Sequence, residues 1–135
     1  MAEHPNVARV RAAYTAFLNL DLETALKDLA PDAVFHFKGD GPLSGDHRGF
    51  DDISKALIGT FELSGGTQKL DIKGIYADDD HAVVVLHESA TRAADGKQLD
   101  VNEVHVIKLN AEGQITDLWD LPDDHEAHDA FFDGR

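Results

Sequence analysis

The chain has 135 residues, a length that predicts a single domain over residues 1–135, large enough to bury a core. Its formal net charge of -14 argues against a nucleic acid or an anionic membrane as a partner, and the absence of cysteine excludes disulfides, thiolate metal sites and a thiol nucleophile. Because the sequence shows no signal-like segment and no apolar run of membrane-spanning length, we expect a cytoplasmic protein.

The first half of the chain predicts helices. After Pro5, apolar side chains recur at helical spacing, at Val7, Val10, Tyr14, Phe17 and Leu18. Asp21 can cap a second, short helix, which Pro31 stops. A third helix is predicted where the same period continues, at Phe50, Ile53, Leu57 and Phe61. The run Ser64-Gly65-Gly66 ends that helix.

A strand and a loop are predicted between the second and third helices. Residues 33–38 read as a strand with Phe35 and Phe37 on one face and His36 on the other. The segment Gly39 to Gly49 is rich in glycine and turn formers. We therefore predict a loop of about ten residues there, a length at which loops are often functional.

The second half changes to the period-2 alternation of strands. Residues 69–76 predict one strand, and residues 82–91 predict another whose unbroken apolar start is typical of a strand inside a sheet. Asp95-Gly96 indicates a two-residue hairpin turn into the next strand. Helices followed by an antiparallel meander predict an α+β fold, with the helices packed on one face of a curved sheet.

The most informative stretch runs from Val101 to Leu121 and reads as two apolar strands joined at residues 110–113. A two-residue loop at 112–113 puts His105 directly opposite Asp120, whereas a four-residue loop makes the two diagonal neighbours. Both registers place these side chains on one face at roughly 5 to 8 Å, and only a three-residue, bulged turn separates them. A histidine beside a carboxylate among apolar residues is a candidate acid/base pair.

The end of the chain is its most acidic part. From Asp117 to Arg135 there are seven acidic residues and one basic residue. This charge predicts a solvated, acidic segment from about residue 122. The run His125-Glu126-Ala127-His128 offers two histidines three apart on a possible helix, which is not the metalloprotease spacing of four. Since the other histidines are scattered over separate predicted strands, we expect no metal site.

Four phrases of the sequence, taken in order, resemble the nuclear transport factor 2-like superfamily, and within it the SnoaL-like, ketosteroid-isomerase-related proteins. They are AYTAF at 13–17, LAPDAVF at 29–35, GPLSGDHRG at 41–49 and GQITDLWD at 113–120. The resemblance covers nearly the whole chain. It implies a cone in which a curved sheet and helices enclose an apolar pocket, commonly in a homodimer packed through the outer sheet face. Enzymes of this kind isomerise steroids, cyclise polyketide intermediates, or dehydrate or hydrolyse small molecules, usually without a metal or organic cofactor, while many other members have no known activity.

The family's catalytic residues match this chain in part. Tyr14 matches the tyrosine that donates a hydrogen bond to the developing oxyanion in the isomerases. Phe37 stands where the isomerases have their general base, and His105 stands where they keep a protonated carboxylic acid. The polyketide cyclase branch instead places an acid/base aspartate at or close to the position of Asp120. The pair Trp119-Asp120 therefore matches the cyclase pattern better.

Two acid/base schemes follow, and the sequence does not choose between them. In one, Asp120, with its pKa raised by desolvation, removes a proton beside a substrate carbonyl, while Tyr14 and His105 stabilise the enolate oxygen. In the other, His105 is the base and Asp120 holds its tautomer. Contacts to a hydrophobic, carbonyl-bearing ligand are predicted from Trp119, His87, His36, Phe17, Phe37, Phe50 and Leu57.

Structural roles compete with each of these assignments. Tyr14 can be a core tyrosine, His105 a satisfied sheet histidine, and Asp120 an exposed acid at a strand end. His87 shares a face with His105 only if the turn at 95–96 is bulged. The overall prediction is a cofactor-independent isomerase, cyclase or lyase that works as a homodimer on a hydrophobic small molecule. A non-catalytic binding domain and a dimeric adaptor remain as alternatives.

Overall fold

The structure is a computed structural model, and it describes residues 3–37, 39, 41 and 43–133. Within these residues the chain forms four helices and six strands. The helices are α1 (Pro5–Leu18), α2 (Leu22–Ala25), α3 (Gly49–Leu63) and α4 (His125–Phe132). The strands are β1 (Leu29–Phe37), β2 (Gly45–Arg48), β3 (Lys69–Ala77), β4 (His81–Thr91), β5 (Gln98–Leu109) and β6 (Ile115–Pro122).

The strands form one sheet in the order β2-β1-β6-β5-β4-β3, which is open at both edges. All neighbouring strands are antiparallel except β1 and β6, which run parallel. Helix α1 contacts β3 and helix α3 contacts β1, so the two long helices lie over opposite ends of the sheet. The α+β cone is therefore confirmed, with the correction that the sheet is mixed rather than wholly antiparallel.

The helices begin and end where local chemistry predicts. Pro5 is the first residue of α1, and the Asp21 side chain accepts a hydrogen bond from the backbone N–H of Thr24 to cap α2. Helix α3 buries Ile53 completely and is followed by Gly65 and Gly66, both of which have positive φ. None of the described helices combines the length and the apolar composition needed to span a bilayer.

Strands β5 and β6 keep the expected facing of His105 and Asp120, but by a different turn. The loop has three residues, 111–113, closed by a hydrogen bond from the N–H of Asn110 to the carbonyl of Gln114. Such a turn alone would separate the pair, but Thr116 is left over as a β-bulge and restores the register. His105 therefore lies directly opposite Asp120.

The turn between β4 and β5 is also longer than predicted. The N–H of Arg92 bonds to the carbonyl of Lys97, which closes a loop of four residues, 93–96, instead of two. Since both lengths are even, the facing of the two strands does not change. His87 consequently points away from the face that carries His105.

Two elements lie where the sequence predicts a loop and a solvated segment. Strand β2 occupies part of the predicted loop and pairs with β1. Helix α4 occupies the predicted solvated segment, and Phe131 within it is fully buried. The prediction of a solvated tail is therefore wrong for α4. The Asp124 side chain caps this helix and its two phenylalanines pack against Leu99 and Val101, while Glu126 stays exposed.

Candidate active site

A cavity of about 120 Å³ lies between the helices and the inner face of the sheet. Most of its wall is apolar, formed by residues that include Val10, Phe17, Phe35, Phe37, Leu57, Ile107 and Leu118. Its polar lining includes six titratable side chains, namely Tyr14, Glu88, Glu103, His105, Asp120 and His128. An apolar cavity with a few convergent polar groups is the usual form of a small-molecule site.

The alternation of the strands brings the polar groups together. Glu103 and His105 are two residues apart on β5 and therefore share the inner face. Asp120 on β6 lies opposite His105, and Glu88 on β4 lies diagonally across from Glu103. Helix α4, which contacts β5 and β6, adds His128. Three carboxylates and two imidazoles thus meet at one side of the cavity.

His105 connects Tyr14 to two of the carboxylates. Its Nδ1 lies 2.5 Å from the Tyr14 hydroxyl, and its Nε2 lies 3.1 Å from Glu103 Oε2 and 3.4 Å from Asp120 Oδ1. A carboxylate only accepts hydrogen bonds, so the ring carries a proton on Nε2. Burial opposes the charged ring, but Tyr14, Asp120 and Glu103 outweigh it and raise the pKa of His105 well above its ordinary value.

The pKa of Asp120 moves in the direction opposite to the expected one. Burial works to raise it, but the neighbouring rings of His105 and His128 outweigh burial, so the pKa of Asp120 lies below its ordinary value. Burial raises the pKa of the Tyr14 hydroxyl. At neutral pH the arrangement is therefore an ionised Asp120 beside a protonated His105 and a neutral Tyr14.

His128 lies among the oxygens of three carboxylates. Its Nε2 is 3.2 Å from Glu103 Oε1, 3.4 Å from Asp120 Oδ2 and 3.5 Å from Glu88 Oε1. Burial works to lower the pKa of His128, but these carboxylates outweigh burial and raise it to about 12. Burial raises the pKa of Glu88 to about 8, whereas contacts with His105 and His128 overcome burial and lower the pKa of Glu103.

Six of the residues predicted from sequence line the cavity, namely Tyr14, Phe17, Phe37, Leu57, His105 and Asp120. Their placement is as expected, while their roles in chemistry stay predictions. The sequence singled out neither Glu88 nor Glu103, and it considered His128 only as half of a pair with His125. The two glutamates were recognisable as carboxylates at inward-facing positions of otherwise apolar strands. The approach of His128 was not recognisable, because the sequence predicts a solvated segment there and does not show that the segment docks on the sheet.

Four predicted ligand contacts are wrong in position. His36 and Trp119 stack on each other on the outer face of the sheet, with ring centroids 4.9 Å apart. His87 is on the same outer face, where it hydrogen-bonds to Asn102 at 2.9 Å. Because successive side chains of a strand point to opposite faces of the sheet, these three strand residues point away from the cavity. Phe50, in the first turn of α3, is 47% exposed because it lies on the solvent side of the helix.

Two groups of three side chains among the described residues have spacing that suits a metal ion. In each group the potential ligand atoms lie within 4.8 Å of one another. One group is Glu88, Glu103 and His128, and the other is Glu103, His105 and Asp120. Both occupy the polar side of the cavity.

Comparison with known proteins identifies the family. The profile of the SnoaL-like domain family matches residues 10–118. The structure of Bal32a, from a soil-derived mobile gene cassette, is similar with a TM-score of 0.86, 28% identity, and coverage of 94% of this chain and 95% of that protein. An NTF2-like protein of unknown function from Burkholderia pseudomallei has a TM-score of 0.75 at 26% identity, covering 87% of this chain and 90% of its own. TerC, which was co-crystallised with polyporic acid, has a TM-score of 0.77 at 23% identity over 89% of this chain and 92% of its own.

No curated protein matches the chain. The family profile covers most of the chain, including Tyr14, β1 and the strands that carry Glu88, Glu103 and His105. The mixed sheet with helices on its inner face agrees with this assignment. The chain therefore belongs to the SnoaL-like domain family of the nuclear transport factor 2-like superfamily.

Proposed function

We propose that this protein is an enzyme that removes a proton beside the carbonyl group of a hydrophobic small molecule, as the first step of an isomerisation, cyclisation or elimination. The observation that carries the proposal is the contact of Tyr14, His105 and Asp120 at one side of an apolar cavity. Membership of a family that includes polyketide cyclases supports a small-molecule substrate. The co-crystallisation of TerC with polyporic acid supports the same substrate class.

Asp120 is the proposed base. Its Oδ1 is buried and makes no hydrogen bond to the described residues, so a lone pair is free to accept the proton of the substrate. His105 does not suit this role, because its Nε2 donates to Glu103 and its Nδ1 is engaged by Tyr14. Hydrogen-bond geometry therefore favours the first of the two schemes that the sequence left open.

Tyr14 is the proposed donor to the substrate oxygen. When His105 is protonated, its Nδ1–H donates to the Tyr14 hydroxyl oxygen, and the hydroxyl hydrogen is free to point into the cavity. The charge on the ring strengthens that donor as negative charge develops on the enolate oxygen. His105 thus positions and polarises Tyr14 rather than contacting the substrate.

The size of the cavity limits the substrate. A cavity of roughly 150 Å³ lined by apolar side chains holds benzene, and the cavity here is about 120 Å³. We therefore propose that the part of the substrate that reacts is about the size of a single ring. Larger groups of the molecule then extend from the mouth of the cavity.

The test is hydrogen–deuterium exchange at the carbon next to the carbonyl of small cyclic ketones such as cyclohexanone and 2-tetralone, followed by NMR in deuterated buffer. This measurement reports proton abstraction before the true substrate is known. Asp120→Asn should lower the exchange rate by about 10²-fold or more, and Tyr14→Phe by roughly 10-fold to 10³-fold. The control is His87→Asn on the outer sheet face, which should exchange at the wild-type rate.

Equal exchange by wild type and Asp120→Asn contradicts the proposal. Saturable binding of these ketones without exchange also contradicts it, and then favours the alternative of a non-catalytic binding domain. Circular dichroism of each variant separates loss of chemistry from loss of fold. The outer-face control separates the cavity from general catalysis by surface histidines.

We also propose that the protein forms a homodimer through the outer face of its sheet. Tyr76, Val83, Val106 and Trp119 are direct neighbours across four strands and form an apolar row on that face. Tyr76 is 64% exposed, which is unusual for a large side chain in such a row. Sedimentation velocity should show a dimer for wild type and a monomer for Val106→Lys. Ile58→Lys, on the exposed side of helix α3, should stay dimeric. A monomeric wild type at tens of micromolar rules the dimer out.

A further inference from the structure

Three buried polar atoms at the side of the cavity face one another without a hydrogen bond. They are Glu88 Oε1, Glu103 Oε1 and His128 Nε2, and none of them finds an oriented partner among the described residues. The side chains of Glu88 and Glu103 are only 4% and 1% exposed. A buried polar atom without a partner costs about 1 to 3 kcal/mol, and more when it is charged. Three such atoms converging on one point are typical of a ligand-binding site.

Ion pairing alone does not satisfy this cluster. The Nε2 of His128 carries at most one hydrogen, so it donates to one oxygen at a time, while three carboxylate oxygens lie within 3.5 Å of it. When both glutamates are ionised, at least one of their oxygens is therefore left without a donor. A divalent cation that displaces the Nε2 proton of His128 and any proton on Glu88 can bind all three atoms at once, and this removes the deficit.

The other oxygen of each glutamate is held in place. The Gln68 side-chain N–H donates to Glu88 Oε2 at 2.7 Å. His105 Nε2 donates to Glu103 Oε2 at 3.1 Å. Each carboxylate thus has one oxygen fixed by a hydrogen bond and the other turned toward His128. This arrangement is typical of carboxylates that bind a metal, whose free oxygen is oriented by a partner on the other one.

The distances suit a small divalent ion. Oxygen and imidazole nitrogen bind zinc at about 2.1 Å, which places neighbouring ligand atoms of a tetrahedral centre about 3.4 Å apart. His128 Nε2 lies 3.2 Å from Glu103 Oε1 and 3.5 Å from Glu88 Oε1. One imidazole with two carboxylates is a ligand set that zinc and related transition metals accept.

We propose that Glu88, Glu103 and His128 bind one divalent transition-metal ion of the zinc class beside the cavity. Three protein ligands leave a coordination position open, as in catalytic metal sites. Asp120 Oδ2, 3.4 Å from His128 Nε2, lies next to that position. The ion would hold a water molecule or a substrate oxygen at this place. The inference does not rest on the proposed proton abstraction, because metal binding is measured without any substrate.

The test uses the full-length protein, stripped with a chelator and titrated with zinc chloride by calorimetry. Cobalt(II) absorption then reports the coordination geometry. Wild type should bind one equivalent of zinc, and Glu88→Gln and Glu103→Gln should each weaken binding at least about tenfold. These changes conserve side-chain size, and circular dichroism confirms the fold of each variant. The matched control is His87→Asn, which removes an outer-face histidine that lies 2.8 Å from Asp100 and should leave the zinc stoichiometry unchanged.

Two outcomes overturn the metal site. The first is a wild-type protein that takes up no stoichiometric zinc or cobalt, and this result needs no variant. Loss of the bound equivalent in His87→Asn, with retention in Glu103→Gln, assigns the metal to the surface instead. Asp120→Asn separates the two proposals, since it should lower the rate of ketone exchange about 10²-fold or more and keep one equivalent of zinc. Exchange that fails in the zinc-loaded wild type counts against the proposed reaction and leaves the metal site standing.

Discussion

Replacing Phe131 with alanine tests whether the acidic end of the chain is a docked helix. Phe131 is fully buried and its ring meets that of Phe132 edge-on, with centroids 5.0 Å apart. Truncating a buried phenylalanine lowers the free energy of unfolding by about 3 to 5 kcal/mol, of which roughly 0.5 to 1.5 kcal/mol comes from the contact between the paired rings. For a domain of this size we expect the melting temperature to fall by about 10 °C or more.

The assay is equilibrium unfolding in urea, with thermal unfolding as a second probe. The matched control is Phe50→Ala, the same chemical change at a site that is 47% exposed, where we expect a loss of at most about 1 kcal/mol. A loss at Phe131 no larger than that at Phe50 refutes the reasoning, because it means that the helix does not dock on β5 and β6. Docking also matters for the site, since the same helix carries His128 to Glu88 and Glu103.

The remaining predictions concern the outer sheet face and one turn. Although burial opposes it, hydrogen bonds to Asp117 and Asp46 raise the pKa of His36 above its ordinary value. Its contribution to stability is therefore full below the unfolded-state pKa of about 6.5 and is lost as the pH rises through the folded pKa. The stability difference between wild type and His36→Asn, from urea unfolding between pH 5.5 and 8.5, should shrink with rising pH, and a difference that grows contradicts the assignment. Gly113→Ala should lower the free energy of unfolding by about 1 kcal/mol or more, because φ is +76° there and an added Cβ meets the Arg9 guanidinium. A free energy of unfolding equal to that of wild type would show that this turn tolerates a side chain.

The buried charged cluster is itself an argument for function. Taking carboxylates and imidazolium rings out of water is costly, and an apolar core of the same shape is often at least as stable. The inward-facing positions of β4 and β5 are otherwise mostly apolar, yet they include Glu88 and Glu103. His128 likewise lies on the same helix as the buried Phe131 and Phe132. Groups of this kind with displaced pKa values gather at binding and catalytic sites.

Local patterns determined much of the fold in advance. Helical spacing after Pro5 and before Ser64 located α1 and α3, and alternation located the long strands. The shared face of His105 and Asp120 also followed from the sequence, although a loop of three residues plus a bulge produced it instead of an even loop. The family resemblance pointed to Tyr14 as the hydrogen-bond-donating tyrosine of the isomerases. The structure places its hydroxyl against His105.

Only the tertiary structure decided which of these elements meet. Strand β1 pairs in parallel with β6, and α4 folds back to bring His128 against Glu88 and Glu103, although 25 residues or more of chain separate it from either. The metal ligands therefore have no recognisable spacing in the sequence. The outward position of His36 depended in the same way on where β1 joined the sheet. Periodicity is set by the backbone geometry of each element alone, whereas neighbours across a sheet and the docking of a terminal helix are set by burial of apolar surface between segments far apart in the chain.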